Sequence, residues 1–395
     1  MKIRGMGVAA GLAFAAVPGG AFAQSSVTLY GIVDVGVTFN SNARGDQQYA
    51  LTSGVGSGSR IGFRGAEDLG GGLQEIFDLE NGFTPTTGKL GQNGTLFGRQ
   101  AHVGVGGPWG TLTLGRTNTN TYDLVSPLVS GATWAAAGAG YGTHPADLDN
   151  LNSTSRINNV IKYTSANFAG FTFGALYSLG GVAGDFTRNQ IISLAAAWQR
   201  GPLSLAAGYL DARDPNYSLW GSKAGDSATA SNISSPVLSG FATAGDQRVI
   251  TAAGAYAIGS ATVGLVYSRT HFGDLGSVKV SGLTAAENAY RGGVDFNSGE
   301  VNLKYQVSPS LQLGAAYAYT HGGDVGGRGN ASYQQINLGA DYGFSKRTDV
   351  YAFTALQKAS GVNSTGQSAV AAINGATPSS SDRQLVATVG MRHRF

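Results

Sequence analysis

The chain contains no cysteine, which excludes a disulfide scaffold and leaves an exported protein of this size to find its stability in a large hydrogen-bonded architecture. Its five histidines (His102, His144, His271, His321 and His393) are scattered singly, without the spacing that would bring two onto one metal. Beyond residue 23 there is no uncharged apolar run of helix length, so the mature chain is not a helical membrane protein. No Gly-Lys-Ser/Thr phosphate loop occurs. The Gly-x-Gly runs at Gly54–Gly58 and Gly104–Gly106 open no helix after a buried parallel strand, and no basic cluster interleaved with aromatics offers itself to nucleic acid. Charge of either sign is scarce: 26 Lys plus Arg against 23 acids becomes 24 against 23 once Lys2 and Arg4 are removed, a net +1 that says nothing of partners.

What the chain does have begins with Lys2 and Arg4 ahead of an apolar run from Met6 to Val17, then Pro18-Gly19-Gly20 and Ala21-Phe22-Ala23. This reads as a secretory signal peptide over 1–23, cleaved before Gln24, with one domain over 24–395; the run is too short and interrupted for an anchoring helix. Glycine is abundant at 62 of 395 residues, with 17 Tyr and 17 Phe, a balance that suits strands and turns. At the C-terminus, Leu385, Ala387, Val389, Met391 and Phe395 alternate with Gln384, Thr388, Gly390, Arg392 and Arg394, a strand with one greasy and one wet face that ends on an aromatic ring.

The same alternation recurs along the chain, punctuated by seven short turns (around residues 70–72, 106–108, 167–170, 201–202, 259–260, 308–309 and 345–347) and eight long polar connections. The long ones span about 40–57, 81–96, 118–155, 180–189, 212–246, 272–297, 321–332 and 359–383. Fifteen connections join sixteen strands. An even count with alternating loop lengths puts both chain ends on the short-turn side, as in a closed antiparallel barrel across a membrane. Alternation alone leaves a soluble sandwich or propeller open; the segregated loops and terminal Phe395 decide for the barrel. Apolar faces such as Leu311, Leu313, Ala315, Tyr317 and Tyr319 end in tyrosines, as an aromatic girdle requires, and small residues opposite (Gly208, Gly264, Gln312, Gly314) suit a water-filled interior.

In a wet lumen the functional groups are charges at the narrowest point. Ile61 and Phe63 claim the lipid face of the second strand, which turns Arg60 and Arg64 inward; Ile157, Ile161 and Tyr163 do the same for Arg156 and Lys162. The third long connection carries Asp147 and Asp149, with Asp123 at its entry, and these are expected to set a transverse field against the wall guanidinium groups. Solvated loop positions are the standing alternative for these carboxylates. Arg116, on the parity of Leu112 and Leu114, is expected at a loop edge or subunit contact.

Gly58–Gly70 (GSRIGFRGAEDLG), Val27–Asp34 (VTLYGIVD), Thr111–Arg116 (TLTLGR) and the terminal VGMRHRF resemble the trimeric general porins of Gram-negative outer membranes, over nearly the whole mature chain. The resemblance implies a homotrimer, a third loop folded into the channel, a lumen-facing role for Arg99, and a trimer core in which Gln100 and His102 face neighbouring subunits. The expected protein is an all-β, 16-stranded antiparallel transmembrane β-barrel with short periplasmic turns and long extracellular loops. It is expected to be an outer-membrane porin: a passive diffusion channel for small hydrophilic solutes and ions, in contact with lipid and lipopolysaccharide, with no cofactor. Residues 131–141 of the third loop are mostly Ala and Gly, with Trp134, unlike a strongly acidic family loop, and this shifts the expectation to a weak anion preference. The alternatives are an outer-membrane barrel hydrolase, for which His144 near Asp147 is the one candidate pair, and an adhesin or receptor built on the outer loops.

Overall fold

A segment with one apolar and one polar face is stable as a strand where its two faces meet different surroundings, and the chain arranges sixteen such crossings into one closed antiparallel sheet. The structure, a computed structural model, describes residues 26–219 and 231–395; the segment read as a signal peptide lies outside these residues. In chain order the crossings are β1 (Ser26–Ala43), β2 in two parts (Asp46–Ser53 and Arg60–Gly70), β3 (Leu73–Thr84), β4 (Gln100–Gly107), β5 (Gly110–Thr117), β6 (Ile157–Ser165), β7 (Phe171–Ser178) and β8 (Ile191–Arg200). They continue as β9 (Leu203–Arg213), β10 (Asp246–Ile258), β11 (Ala261–Leu275), β12 (Gly292–Gln306), β13 (Leu311–Gly322), β14 (Ala331–Gly343), β15 (Thr348–Gly361) and β16 (Arg383–Arg394). The ring closes where β1 pairs with β16, from Ile32 opposite Arg394 to Asn40 opposite Val386. Just beyond, Gly31 and Phe395 exchange two backbone hydrogen bonds of 3.1 Å, and the Phe395 ring lies against the bare Cα of Gly31.

All seven short turns fall where glycine, proline and polar residues mark them, and seven of the eight long connections agree as well. The first does not. Instead of a loop over 40–57, β1 turns at Arg44-Gly45 and pairs directly with Asp46–Ser53, Phe39 and Tyr49 meeting with ring centroids 5.0 Å apart. The polar composition of that stretch suggests a loop, but its outward residues Tyr49 and Leu51 carry the strand. The excursion comes later: residues 54–59 leave the sheet and fold inward, held by Asp34, whose carboxylate accepts from Val55 N–H (3.1 Å), Ser57 N–H (2.7 Å) and the Tyr351 hydroxyl (2.6 Å).

Outward positions are apolar and exposed, among them Leu265 at 63% and Val389 at 66%, an area that no folded interior covers and that fits acyl chains. Girdle tyrosines keep a polar contact at the tip: Tyr267 donates to Asn297 (2.7 Å) and Tyr317 to Gln334 (3.4 Å). The inner faces correct the expectation of uniform wetness. On the long-connection half of β10–β15, inward Phe272, Phe296 and Tyr333 pack with Phe241 and Leu148 from connections that fold into the mouth, a dry cluster. Alternation reports which way a side chain points, not what covers it.

Replacing Gly31 by Val would put a Cβ 2.4 Å from the Phe395 ring and 2.7 Å from the Arg60 carbonyl, so the closing strand pair must shift. We expect a loss of about 1–3 kcal/mol, read as a lower urea midpoint for the detergent-folded barrel.

Candidate functional site: a basic eyelet beside the third loop

The connection from Thr117 to Ile157 turns into the barrel, and the wall is built to receive it. Thr119 caps helix α1 (Asn120–Val125), its hydroxyl accepting from Tyr122 N–H at 3.0 Å. The helix sits on wall glycines: a Cβ at Gly174 would lie 2.0 Å from the Asn120 side chain, and one at Gly208 2.7 Å from Thr121. Glycines that suggest a water-filled interior are thus partly seats for the loop. Further along, inward amides of the wall take up the loop's backbone carbonyls: Asn302 donates to Leu128 O (3.1 Å), Gln335 to Tyr141 O (2.9 Å), Asn337 to Gly142 O (3.1 Å) and Gln247 to Leu148 O (2.8 Å).

On the opposite wall, residues facing each other across strands share a side. Ile61 and Phe63 point outward, so Arg60 and Arg64 point inward, on the same side as Asp78, opposite Arg64, and Glu80, opposite Gly62, on β3. Glu80 is the hub: it accepts from Arg99 Nε at 2.5 Å and lies 3.6 Å from Arg60, while the Tyr30 hydroxyl donates to both Glu80 (3.1 Å) and Asp78 (2.9 Å). Arg156 donates to Ser153 O at 3.0 Å and makes no ion pair among the described residues, and its Nε is buried without a hydrogen-bond partner. Arg60, Arg99 and Arg156 line one cavity of about 330 Å³, faced across the lumen by Thr133, Ala137, Gly138 and Asn152 of the loop. No acidic side chain among the described residues lines it.

The remaining sequence candidates lie elsewhere. Arg64 sits below that cavity with its guanidinium 4.9 Å from the Tyr30 ring centre. Lys162 faces inward but is tied to Asp123 and to Asn118 O (2.9 Å), fastening the start of the loop to the wall. Asp147 and Asp149 do not face the arginines, which corrects the transverse field read from the sequence: both are buried in the loop, Asp147 accepting the N–H groups of Asn152 and Thr154 at 3.0 Å, Asp149 the hydroxyl of Ser268 at 2.6 Å. Their oxygens are consumed by a chain reversal and a wall contact. Gln100 and His102 are likewise corrected, since they stand opposite Glu80 and Asp78 and line an inward cavity with Thr111 and Lys162. Arg116 bonds Gly98 O (3.0 Å) and Asn158, bridging β5 to its neighbours. Glu80 escapes the sequence reading because it directly precedes a long connection, although its alternation with Leu79 carries the signal.

Against known proteins, the description "Gram-negative porin" matches residues 9–362. The outer membrane porin protein 32 of Delftia acidovorans is 31% identical over 408 residues, covering 97% of this chain and 98% of its own, and an outer membrane porin protein of Bordetella pertussis is 29% identical over 86% and 91%. Among solved structures, an anion-selective porin from Comamonas acidovorans superposes with a TM-score of 0.70 at 24% identity, over 94% of this chain and all of that one. The trimer form of OmpT from Vibrio cholerae gives 0.64 at 20% identity, over 94% and 99%.

The loop's own clasp has a sign in pH. His144 is fully buried with Nδ1 2.5 Å from Asp149 and Nε2 3.9 Å from Glu300. Burial opposes its charge, but Asp149, then Glu300 and Asp147, outweigh it and raise the imidazole to about 9. A raised pKa contributes stability that is complete below the ordinary 6.5 and is lost as pH climbs through about 9. Burial and then Asp149 push Asp147 up to about 7, so its ionisation also weakens the clasp as pH rises. We expect intrinsic-rate-corrected hydrogen-exchange protection over 140–152 to fall between pH 8 and pH 10. In His144→Gln that step disappears, and local stability drops by about 3–5 kcal/mol because buried Asp149 loses its partner.

Proposed function

Because the chain belongs to the Gram-negative porin family, and so is an outer-membrane porin, a channel rather than an enzyme, we propose that Arg60, Arg99 and Arg156 form its constriction and give small anions preferred passage. The observation that carries this reading is the imbalance of charge there: three guanidinium groups line one cavity, Arg60 and Arg99 share the single carboxylate of Glu80, Arg156 has no ion pair among the described residues, and the loop contributes only backbone and neutral side chains. Near one uncompensated cation an anion at 4 Å gains about 1 kcal/mol in bulk-like water and about 4 kcal/mol at an effective dielectric constant of 20, enough to bias passage. The preference rests on these charges; likeness to the anion-selective porin, at 24% identity, carries the fold. Arg64, Lys162 and Asp123 act behind the constriction, and Asp147 and Asp149 hold the loop.

The rest of the proposal concerns export and assembly. Residues 1–23 direct export, 24–395 form the barrel, and three copies associate in a membrane of lipid and lipopolysaccharide, a trimer form being known for one structural relative. Chemistry is not part of it: the ring nitrogens of His144 face Asp149 and Glu300, and Ser268 donates to Asp149, so no nucleophile is bonded to the imidazole.

In a planar bilayer under a potassium chloride gradient, we expect a reversal potential of anion-preferring sign. Arg60→Gln combined with Arg156→Gln should lower the chloride-to-potassium permeability ratio several-fold, toward one or below. A ratio unmoved by the double variant would remove these residues from the constriction.

A further inference from the structure

On the other side of the third loop lies a second cavity, of about 380 Å³, that the constriction does not account for. Its floor is a row of inward positions across four adjacent strands: Lys304 on β12 faces Gly314 on β13, which faces Gly339 on β14, which faces Phe353 on β15. The glycine pair in the middle is a flat window, and the loop's Trp134 lies on it; a Cβ would come within 2.4 Å of the indole at Gly314 and 3.0 Å at Gly339. An aromatic face, with Phe353 and Tyr351 alongside, is therefore held next to a lysine in a water-filled passage.

The charges of this cavity are mostly spent. Arg392 pairs with Asp341 (2.7 Å) and Asp349 (2.9 Å), and Arg394 with Asp349 (2.6 Å). Lys304 is exposed and makes no ion pair among the described residues, so its ammonium is the cation of this cavity left open to a solute. That open ammonium suits one negative charge. The two cavities share Ser57 and Thr133 as lining residues, so they adjoin along the third loop.

We propose that this second cavity is a binding station for small aromatic monocarboxylates, the ring lying against Trp134 and the carboxylate on Lys304. The inference rests on the channel reading but not on the constriction residues. Its volume stands near the lower end, roughly 300 Å³, of small-molecule sites, and the pairing of one apolar surface with one placed charge is how such sites read their ligands. Ring stacking supplies what charge alone does not, a distinction between benzoate and an aliphatic acid of equal charge.

The test is chloride current through single channels with benzoate or acetate added at equal concentration. We expect benzoate to reduce the current in a saturable way and acetate to leave it nearly unchanged. Lys304→Gln should weaken the benzoate effect several-fold, Trp134→Ala should remove it, and Trp134→Tyr should restore part of it, while the reversal potential in potassium chloride alone stays anion-preferring. Equal effects of the two acids, or a benzoate effect that survives both Lys304→Gln and Trp134→Ala, would overturn the station. A wild-type reversal potential without anion preference would instead count against the constriction and leave the benzoate comparison standing.

Discussion

A loop folded into a barrel carries its backbone polar groups away from bulk water, and each buried N–H or C=O without a partner costs about 1–3 kcal/mol. Everything at the constriction depends on how the wall meets that demand. Asn302, Gln335, Asn337 and Gln247 donate side-chain amides to loop carbonyls, and Glu300 accepts both the N–H (2.9 Å) and the hydroxyl (2.8 Å) of Ser130. The same device holds the last long connection, where Gln357 accepts from Ala372 N–H (2.6 Å) and Gln384 from Ile373 N–H (2.9 Å). Inward Asn and Gln are thus a second wall of hydrogen-bonding groups, standing in for a strand the loop never forms.

Glycine completes this arrangement because amides reach a loop only if the loop can come close. At Gly174 and Gly208 the helix of the third loop occupies the space a Cβ would take, and at Gly314 and Gly339 the indole of Trp134 does. Behind the loop, residues 54–59 supply another support, with Val55 O accepting the N–H groups of Gly138 (3.1 Å) and Ala139 (3.2 Å). A loop fixed on three sides presents a constant profile to solutes, and its Ala- and Gly-rich stretch lets it do so without adding charge.

Much of this was legible in the chain. Strand number, the short turns and most outward faces follow from period-two alternation, because a strand slipped by one residue would put its apolar set in water; Ile157, expected on the lipid face, is instead buried inward with Val160 and Leu210, because the strand is irregular at Asn159. Arg60 and Arg64 are placed by the same logic through Ile61 and Phe63. What alternation does not encode is the covering of an inward residue. Gly208 and Gln335 point into the lumen as parity dictates, yet both are occupied by the third loop, and Phe296 points inward only to be buried beneath other connections. Asp147 and Asp149 show the complementary failure: a carboxylate in a lumen loop is a plausible pore charge until its oxygens are seen to be consumed by Asn152, Thr154, His144 and Ser268. Those contacts depend on a chain reversal that no repeat or motif announces.

Charge in this channel is therefore a matter of what is left after pairing. A formal net charge of +3 over the full sequence conceals a lumen in which Lys162 is committed to Asp123, and Arg392 and Arg394 to Asp341 and Asp349. Each of these pairs holds a loop or a strand end, and each removes its cation from the account a passing ion meets. Arg156 on one side of the loop and Lys304 on the other remain without an ion pair among the described residues, and they lie on adjoining cavities that share Ser57 and Thr133. With a screening length of about 8 Å at physiological ionic strength, a distant surplus elsewhere on the barrel is muted, so these two local residues outweigh the total. Selectivity then belongs to the surplus at the constriction, where Arg60 and Arg99 share one carboxylate and Arg156 has no ion pair, while Lys304 offers a binding charge beyond it.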